Sequence, residues 1–186
     1  MPRIRFIPFA LAAVCGSAGA QQPTLAAQPS TRATTAVALE PPQGTQGVAS
    51  ATIQIDYGQP HLRGRRINVP GLVPLDSVWR FGANAATTLE TGVDLMIGNL
   101  RVAKGKYSLH VLPAAAGWHL IVNRDTGNEY LPQHDVGRVP LRKRSLGSPM
   151  ESFSVWLIPS RDPGSPKGEL RFAWGDAELS ADWRVP

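Results

Sequence analysis

Apolar side chains alternate with polar ones in many segments after residue 49, and this period of two constrains the fold more than any other feature. In the segment 50–57, Ile53, Ile55 and Tyr57 alternate with polar residues. Such alternation gives a strand one apolar face and one polar face. No window of ten residues shows a helical period free of Gly and Pro. The chain is therefore expected to fold as strands.

The same alternation recurs in 107–112 and in 118–122, which flank a turn at 113–117 and predict a hairpin. Turn signals rich in Gly separate the remaining candidates. Further strands are predicted at 87–91, 94–97, 100–103, 151–157, 169–174 and 178–184. Short strands at this spacing indicate an all-β fold, either an antiparallel β-sandwich or a partly open barrel, in a single domain over 49–186.

The first twenty residues have the layout of a secretory signal peptide. Arg3 and Arg5 precede an apolar run, and Ala18 and Ala20 frame a small-residue cleavage pattern. The run is too short for a transmembrane helix, which needs about 20 apolar residues. We therefore expect an exported protein, periplasmic or extracellular, with no transmembrane span in the mature chain. An uncleaved N-terminal anchor and lipidation at Cys15 are the alternatives.

Residues 21–48 are predicted to be a disordered linker between the signal and the domain. The segment is rich in Ala, Thr, Gln and Pro, and its only charged residues are Arg32 and Glu40. A segment with so few large apolar side chains buries too little surface to offset its loss of conformational entropy. Pro41 and Pro42 also prevent a helix from continuing into the domain.

The net charge restricts the kinds of partner that the protein is expected to bind. The chain has 19 basic and 14 acidic residues, a net charge of +5. Removal of Arg3 and Arg5 with the signal leaves 17 against 14, a net charge of +3. Residues 53–144 carry twelve of the basic residues against seven acidic ones. Since an exported protein rarely meets nucleic acid, we expect an anionic small molecule or a glycan as partner.

Cysteine and histidine usage bears on metal sites and cofactors. A single Cys excludes a disulfide framework within the chain and any multi-Cys zinc site. His110 and His119 flank the predicted hairpin, but the spacing supplies no third ligand beside them. We therefore predict no metal and no cofactor, and we leave the oligomeric state open.

Several short motifs in 50–158 resemble the bacterial family called domain of unknown function 2911. The matching pieces are D-Y-x-x-P from Asp56, R-G-R from Arg63, G-L-V-P from Gly71, W-R-x-G-A-N from Trp79, A-T-T from Ala86, K-G-K-Y-S-L from Lys104, V-N-R-D from Val122 and D-V-G-R-V-P from Asp135. The resemblance implies an exported, all-β protein with no established reaction.

The segment 57–84 holds the strongest candidates for a binding site. Its many Gly and Pro residues indicate loops, where a β scaffold usually carries its binding groups. Guanidinium groups bind carboxylates and phosphates through paired hydrogen bonds. The candidate ligand-binding residues are His61, Arg63, Trp79, Arg80, Asn84 and Tyr107. The alternative is structural: Arg80 pairs with Asp56 or Asp76, Trp79 belongs to the core and Asn84 stabilises a turn.

Three functions follow from these residues. The first is a module that binds a polar or anionic ligand through the arginine-rich loops. The second is a cell-envelope hydrolase, with His61 as general base and Arg80 as oxyanion or substrate clamp. The third is a structural or assembly protein of the envelope. No motif of a known catalytic family accompanies these residues.

Overall fold

The computed structural model describes residues 25–67 and 72–186, which form ten β-strands and no α-helix. The predicted signal peptide, with Cys15, lies outside the described residues. The strands are β1 (Arg32–Leu39), β2 (Ala51–Gly58), β3 (Thr87–Thr91), β4 (Leu95–Ile97), β5 (Leu100–Val102), β6 (Gly105–Ala114), β7 (Gly117–Asn123), β8 (Asp135–Pro140), β9 (Arg142–Pro159) and β10 (Lys167–Arg184). A 3-10 turn at Pro132–His134 precedes β8.

The strands form two antiparallel sheets that pack face to face. The first has six strands in the order β1-β2-β3-β6-β7-β8, and the second has four in the order β5-β4-β10-β9. The prediction of an all-β sandwich is confirmed. The sheet edges approach each other without a closed barrel: Leu157 N of β9 donates to the hydroxyl Oγ1 of Thr35 in β1, 3.3 Å away, in place of a backbone ladder.

The long strand β10 reverses direction at Gly175. A straight strand of 18 residues would be about 60 Å long, yet Val185 N donates to the carbonyl of Pro166, 2.8 Å away. Arg142 likewise contacts both Glu169 and Asp182. Gly175 has a φ of 58°, which glycine adopts at little cost. Gly175, where the sequence predicts a turn, is therefore the point at which β10 reverses its direction.

An aromatic cluster fills the space between the sheets. Phe81 is fully buried, with its ring centroid 4.5 Å from that of Phe172 and 5.2 Å from that of Phe153. The indole of Trp79 stacks on that of Trp174 at 5.8 Å with an interplanar angle of 15°. These edge-on and stacked arrangements are the favoured geometries of buried rings.

The prediction of a disordered linker over 21–48 is wrong for 32–39, which form β1. All eight residues of β1 pair with β2, from Arg32 opposite Gly58 to Leu39 opposite Ala51. The small side chains of this segment alternate, but they contribute little apolar surface. Because the edge of β2 supplies a full ladder of backbone hydrogen bonds, the segment becomes ordered despite its composition.

Most of the predicted strands are present, but β1, β8 and part of β9 were missed. The strand predicted at 87–91 coincides with β3, and those at 107–112 and 118–122 lie within β6 and β7. The predicted pair 169–174 and 178–184 lies within β10. The sequence prediction omitted β8 and the first half of β9, because polar and basic residues occupy these stretches.

Among the described residues, no helix has the length and apolar character that crossing a bilayer would require.

Candidate functional site

The predicted site segment is a chain of loops between β2 and β3 that lies against both sheets. His61 forms an isolated bridge with Ser152 of β9, and Trp79 forms another with Val111 of β6. Among the described residues, the four non-glycine residues with positive φ all belong to this segment: Arg63, Asp76, Phe81 and Asn84. Left-handed backbone at such residues costs free energy and is concentrated at functional sites in many proteins.

Two of the predicted donors bind the chain that leads into β1. Arg63 Nη2 donates to the carbonyl of Pro29 at 2.6 Å, and Asn84 Nδ2 donates to the carbonyl of Ser30 at 3.1 Å. The structure thus brings Arg63 and Asn84 together around one segment. Backbone carbonyls occupy the donors that we expected to face a ligand.

Arg80 lies beside Asn84. Its Nη1 donates to the carbonyl of Asn84 at 2.8 Å, which stabilises the left-handed turn there. The expected partner Asp56 instead forms an ion pair with Arg32 of β1. The structural alternative is therefore wrong in two respects: Arg80 does not pair with Asp56, and the turn at Asn84 is stabilised by Arg80, while the Asn84 side chain binds Ser30.

Trp79 and Tyr107 lie in the core. Trp79 is 9% exposed and packs among Phe81, Phe153 and Trp174. Tyr107 is 7% exposed, and its hydroxyl donates to the carbonyl of Ala103 at 2.8 Å. We predicted both as ligand-binding residues, but their burial makes them part of the scaffold beneath the loops. An aromatic residue next to a glycine-rich turn can belong to a binding site or to the core, so the sequence did not distinguish these two roles.

His61 is separate from the Arg80–Asn84 turn and faces β9. Its Nδ1 lies 2.8 Å from the hydroxyl Oγ of Ser152. A histidine ring within hydrogen-bond distance of a serine hydroxyl is the starting geometry for nucleophilic catalysis. Ser152 was not among the predicted residues, because it precedes Phe153 in an ordinary strand pattern.

A cavity of about 250 Å³ lies beside the loop, and we call it the arginine cavity. It is lined by Leu62, Arg65, Arg66, Ile67, Pro149, Gly175 and Asp176. The guanidinium group of Arg65 is held by its own loop: Nε donates to the carbonyl of Leu62 at 2.9 Å and Nη2 to that of His61 at 3.0 Å. A guanidinium has five N–H donors, and contacts within the described residues use two of them.

A second polar cluster covers the outer face of the first sheet. His110 alternates with the core residues Leu109 and Val111, so its side chain points away from the second sheet. Its ring centroid lies 4.9 Å from that of Tyr130, whose hydroxyl donates to Asp135 Oδ2 at 2.8 Å. The V-N-R-D motif and the D-V-G-R-V-P motif both contribute to this cluster.

His110 is 2% exposed, and its Nδ1 has no hydrogen-bond partner in the part of the chain that the structure describes. Burial lowers the pKa of His110; the charge of Arg80 lowers it further, while Asp135 opposes the shift. Burial, followed by the hydrogen bond to Asp135, raises the pKa of Tyr130. The cluster therefore contains a histidine that resists protonation.

His119 is a diagonal neighbour of His110. The register pairs His110 with Ile121 and Leu112 with His119, so both imidazoles lie on the outer face. Within the described ranges, no three His, Cys, Asp or Glu side chains are arranged to hold a metal ion.

A larger cleft, about 730 Å³, lies on the second sheet and contains none of the predicted site residues. Its apolar part includes Met96, Ile158 and Trp183. Its charged rim is largely paired, for example Lys167 with Asp162 at 3.2 Å. The cleft therefore offers apolar surface but few available charges.

The basic run at Arg142–Arg144 is also paired. Arg142 contacts Asp182 at 2.7 Å and Arg144 contacts Glu178 at 2.8 Å. Lys143 lies over the Trp118 ring, 5.1 Å from its centroid. The carboxylates of Asp182 and Glu178 therefore neutralise two of the three positive charges of this run.

The described residues define an antiparallel β-sandwich with an arginine-bearing loop between its second and third strands. The chain belongs to the DUF2911 family, described as proteins of unknown function, whose model matches residues 41–182. The resemblance drawn from the motifs is thereby confirmed. Comparison with curated proteins and with solved structures found no match.

Proposed function

We propose that the protein is an exported module that binds a small anionic ligand, bearing a carboxylate or phosphate group, in the arginine cavity. The fixed guanidinium of Arg65 carries this proposal. Its two hydrogen bonds to backbone carbonyls hold the group at the cavity wall before any ligand arrives. Pre-positioned donors lose less conformational entropy on binding and so favour affinity.

Charge around the cavity supports an anion. Arg65 and Arg66 line it against one acidic residue, Asp176. The nearby Glu151 is already engaged, since its Oε1 accepts from the backbone N–H of Arg63 at 2.7 Å. A volume of about 250 Å³ suits a small anion or the acidic end of a larger molecule such as a glycan.

A thermal-shift panel tests this proposal. Phosphate, sulfate, citrate and glucuronate are compared with neutral glucose at constant ionic strength. The proposal expects the melting temperature to rise with at least one of the four anions and to stay unchanged with glucose. A flat response to every anion contradicts it. Mass spectrometry of the mature protein tests export, with Gln21 as the expected N-terminal residue.

Hydrolysis is the second candidate, favoured by the contact between His61 and Ser152. In this reaction the Ser152 hydroxyl attacks an ester carbonyl while His61 takes its proton, and the C–O bond of the ester breaks as His61 returns that proton to the leaving alcohol. Water then hydrolyses the acyl-serine to release the acid. Arg80, which we had assigned as the clamp, is engaged at the Asn84 turn instead. A fluorophosphonate probe is expected to label the wild type and the Ser145→Ala variant but not Ser152→Ala. Absence of labelling in the wild type argues against hydrolysis.

A structural or assembly role remains a prediction without a specific contact in its favour. The exposed large apolar residues among those described are Leu25, Val48, Leu75 and Ile158, and they belong to four separate segments of the chain.

A further inference from the structure

Strand β1 belongs to the first sheet, although it lies before the residues that the family model matches. The family model begins at residue 41, whereas β1 spans Arg32–Leu39. β1 is an edge strand, paired with β2 on one side only. The sheet formed by the family region therefore ends at β2, and β1 is an added strand on that edge.

The added strand contributes little to the core. Its inward positions carry Ala33, Thr35, Val37 and Leu39, of which only Val37 is buried. By contrast, β2 inserts Ile53, Ile55 and Tyr57 between the sheets, each at most 5% exposed. Release of β1 would thus expose the single buried side chain Val37 and the partly buried Ala33 and Leu39 that pack against the core.

Polar contacts anchor β1 at its N-terminal end. Arg32 Nε donates to Asp56 Oδ1 at 2.8 Å, and the same guanidinium reaches the carbonyls of Ala85 at 3.2 Å and Ala86 at 3.3 Å. Thr34 Oγ1 donates to the other oxygen of Asp56 at 3.0 Å. Asp56 and the two carbonyls together form a pocket for one arginine side chain.

The residues before β1 are bound through their backbone. Carbonyl oxygens of Pro29, Ser30 and Thr31 accept from Arg63 Nη2, Asn84 Nδ2 and the N–H of Gln59 respectively. None of these three contacts involves a side chain of the bound segment. They therefore depend on the path of the backbone at these positions and not on the identity of its side chains.

The connection between β1 and β2 is long and exposed. It runs over 40–50, contains Gly44 and Gly47 at positive φ, and has one internal backbone hydrogen bond, from Thr45 N to the carbonyl of Pro42. A tight hairpin would need only two to five residues. The connection thus acts as a tether and does not itself fix the strand.

We propose that the edge of β2, with the Arg32 pocket at one end, is a peptide-binding groove that β1 fills within its own chain. Backbone hydrogen bonds provide affinity, and alternate side chains provide specificity, as in other sites that accept an added strand. The partner is an extended peptide of another protein, with an arginine followed by small or β-branched side chains at alternate positions. This groove is distinct from the arginine cavity, so either proposal can fail alone.

The test uses the full chain with Gln43–Val48 replaced by a specific protease sequence, so that the tether can be cut without removing β1. A labelled synthetic peptide of residues 28–40 is titrated into cut and uncut protein, and its fluorescence anisotropy is recorded. A tethered strand competes at an effective concentration in the millimolar range. The cut protein is therefore expected to bind the peptide about tenfold or more tightly than the uncut protein.

Two variant peptides probe specificity. Arg32→Glu is expected to weaken binding to the cut protein at least about tenfold, because it places a carboxylate beside Asp56. Ala36→Lys changes an exposed position and is expected to bind like the wild-type peptide. Equal binding of all three peptides, or no uptake by cut protein that keeps its circular dichroism spectrum, overturns the proposal.

Hydrogen exchange on the uncut wild-type protein provides a second readout that does not depend on how the cut protein behaves. Amides of β1 are expected to exchange about a hundredfold faster than those of β3 and β6, which do not pair with β1, because a strand that detaches by itself opens below the free energy of global unfolding. Equal protection of the three strands contradicts a removable β1.

Discussion

Arg32 and Asp56 join the first strand to the second, with Nε of Arg32 2.8 Å from Oδ1 of Asp56. Asp56→Asn removes the charge of this pair and is expected to raise amide exchange in 33–39 about three- to tenfold, the scale of a partly exposed ion pair. Asp94→Asn, which loses the pair with Arg101 on the second sheet, serves as control. Equal exchange in both variants would show that Asp56 does not anchor β1.

Gly58 is expected to tolerate no side chain. A Cβ there would lie 1.9 Å from the carbonyl oxygen of Ala83, a backbone atom that cannot rotate away. Gly58→Ala should therefore displace the loop at Ala83 and lower the free energy of unfolding by about 2 kcal/mol or more. Urea denaturation measures the change. Gly147→Ala, at a position with open space, is the matched control, and an equal effect would contradict the close approach.

The Trp79→Leu variant is expected to distinguish a role of Trp79 in the core from a role in ligand binding. The loss of stacking on Trp174 should lower the free energy of unfolding by about 2–4 kcal/mol. The affinity for an anion in the arginine cavity should fall less than in Arg65→Met, because the carbonyls that hold the Arg65 guanidinium belong to its own loop. Denaturation and titration on the same variant check both. A stable Trp79→Leu protein with lost affinity would restore Trp79 as a ligand-binding residue.

His110 should make stability depend on pH below about 6.5. Its pKa in the folded state is lowered, chiefly by burial. The unfolded chain therefore takes up a proton at a higher pH than the folded one. Stability is fully present above about pH 6.5 and is lost as the pH falls toward the folded-state pKa, with a slope of up to about 1.4 kcal/mol per pH unit.

Denaturation at a series of pH values measures this slope. His110→Phe keeps an aromatic ring beside Tyr130 and should remove the slope. His134→Gln, at an exposed position, should retain it. A wild-type slope that persists in His110→Phe would assign the effect to another group.

The fold was predictable where burial imposes a period of two. Ile53, Ile55 and Tyr57 lie on one face of β2 as expected, and glycine marked the reversal at Gly175. β1 was missed because its order depends on backbone hydrogen bonds to β2, which composition does not reveal. β8 was missed because few of its side chains are buried.

The candidate site was predictable only in part. The arginine-rich loop was recognised from residue types, and the contact between Arg80 and Asn84, four residues apart, is local. The carbonyls of Pro29 and Ser30, which accept from Arg63 and Asn84, lie 34 and 54 residues away along the chain, and no local pattern encodes such contacts. The same holds for Ser152 beside His61, 91 residues apart in the chain.

Calorimetric titration of inorganic phosphate into wild-type, Arg65→Met and Arg161→Met proteins tests the central claim most directly. Arg161 is exposed on the connection between β9 and β10 and does not line the arginine cavity, so its variant controls for net charge. We predict saturable binding to the wild type, a loss of about tenfold or more in Arg65→Met, the scale of a charged hydrogen bond, and a change within about twofold in Arg161→Met. Equal affinities of the two variants, or no saturable binding to the wild type, would contradict an anion site in the arginine cavity.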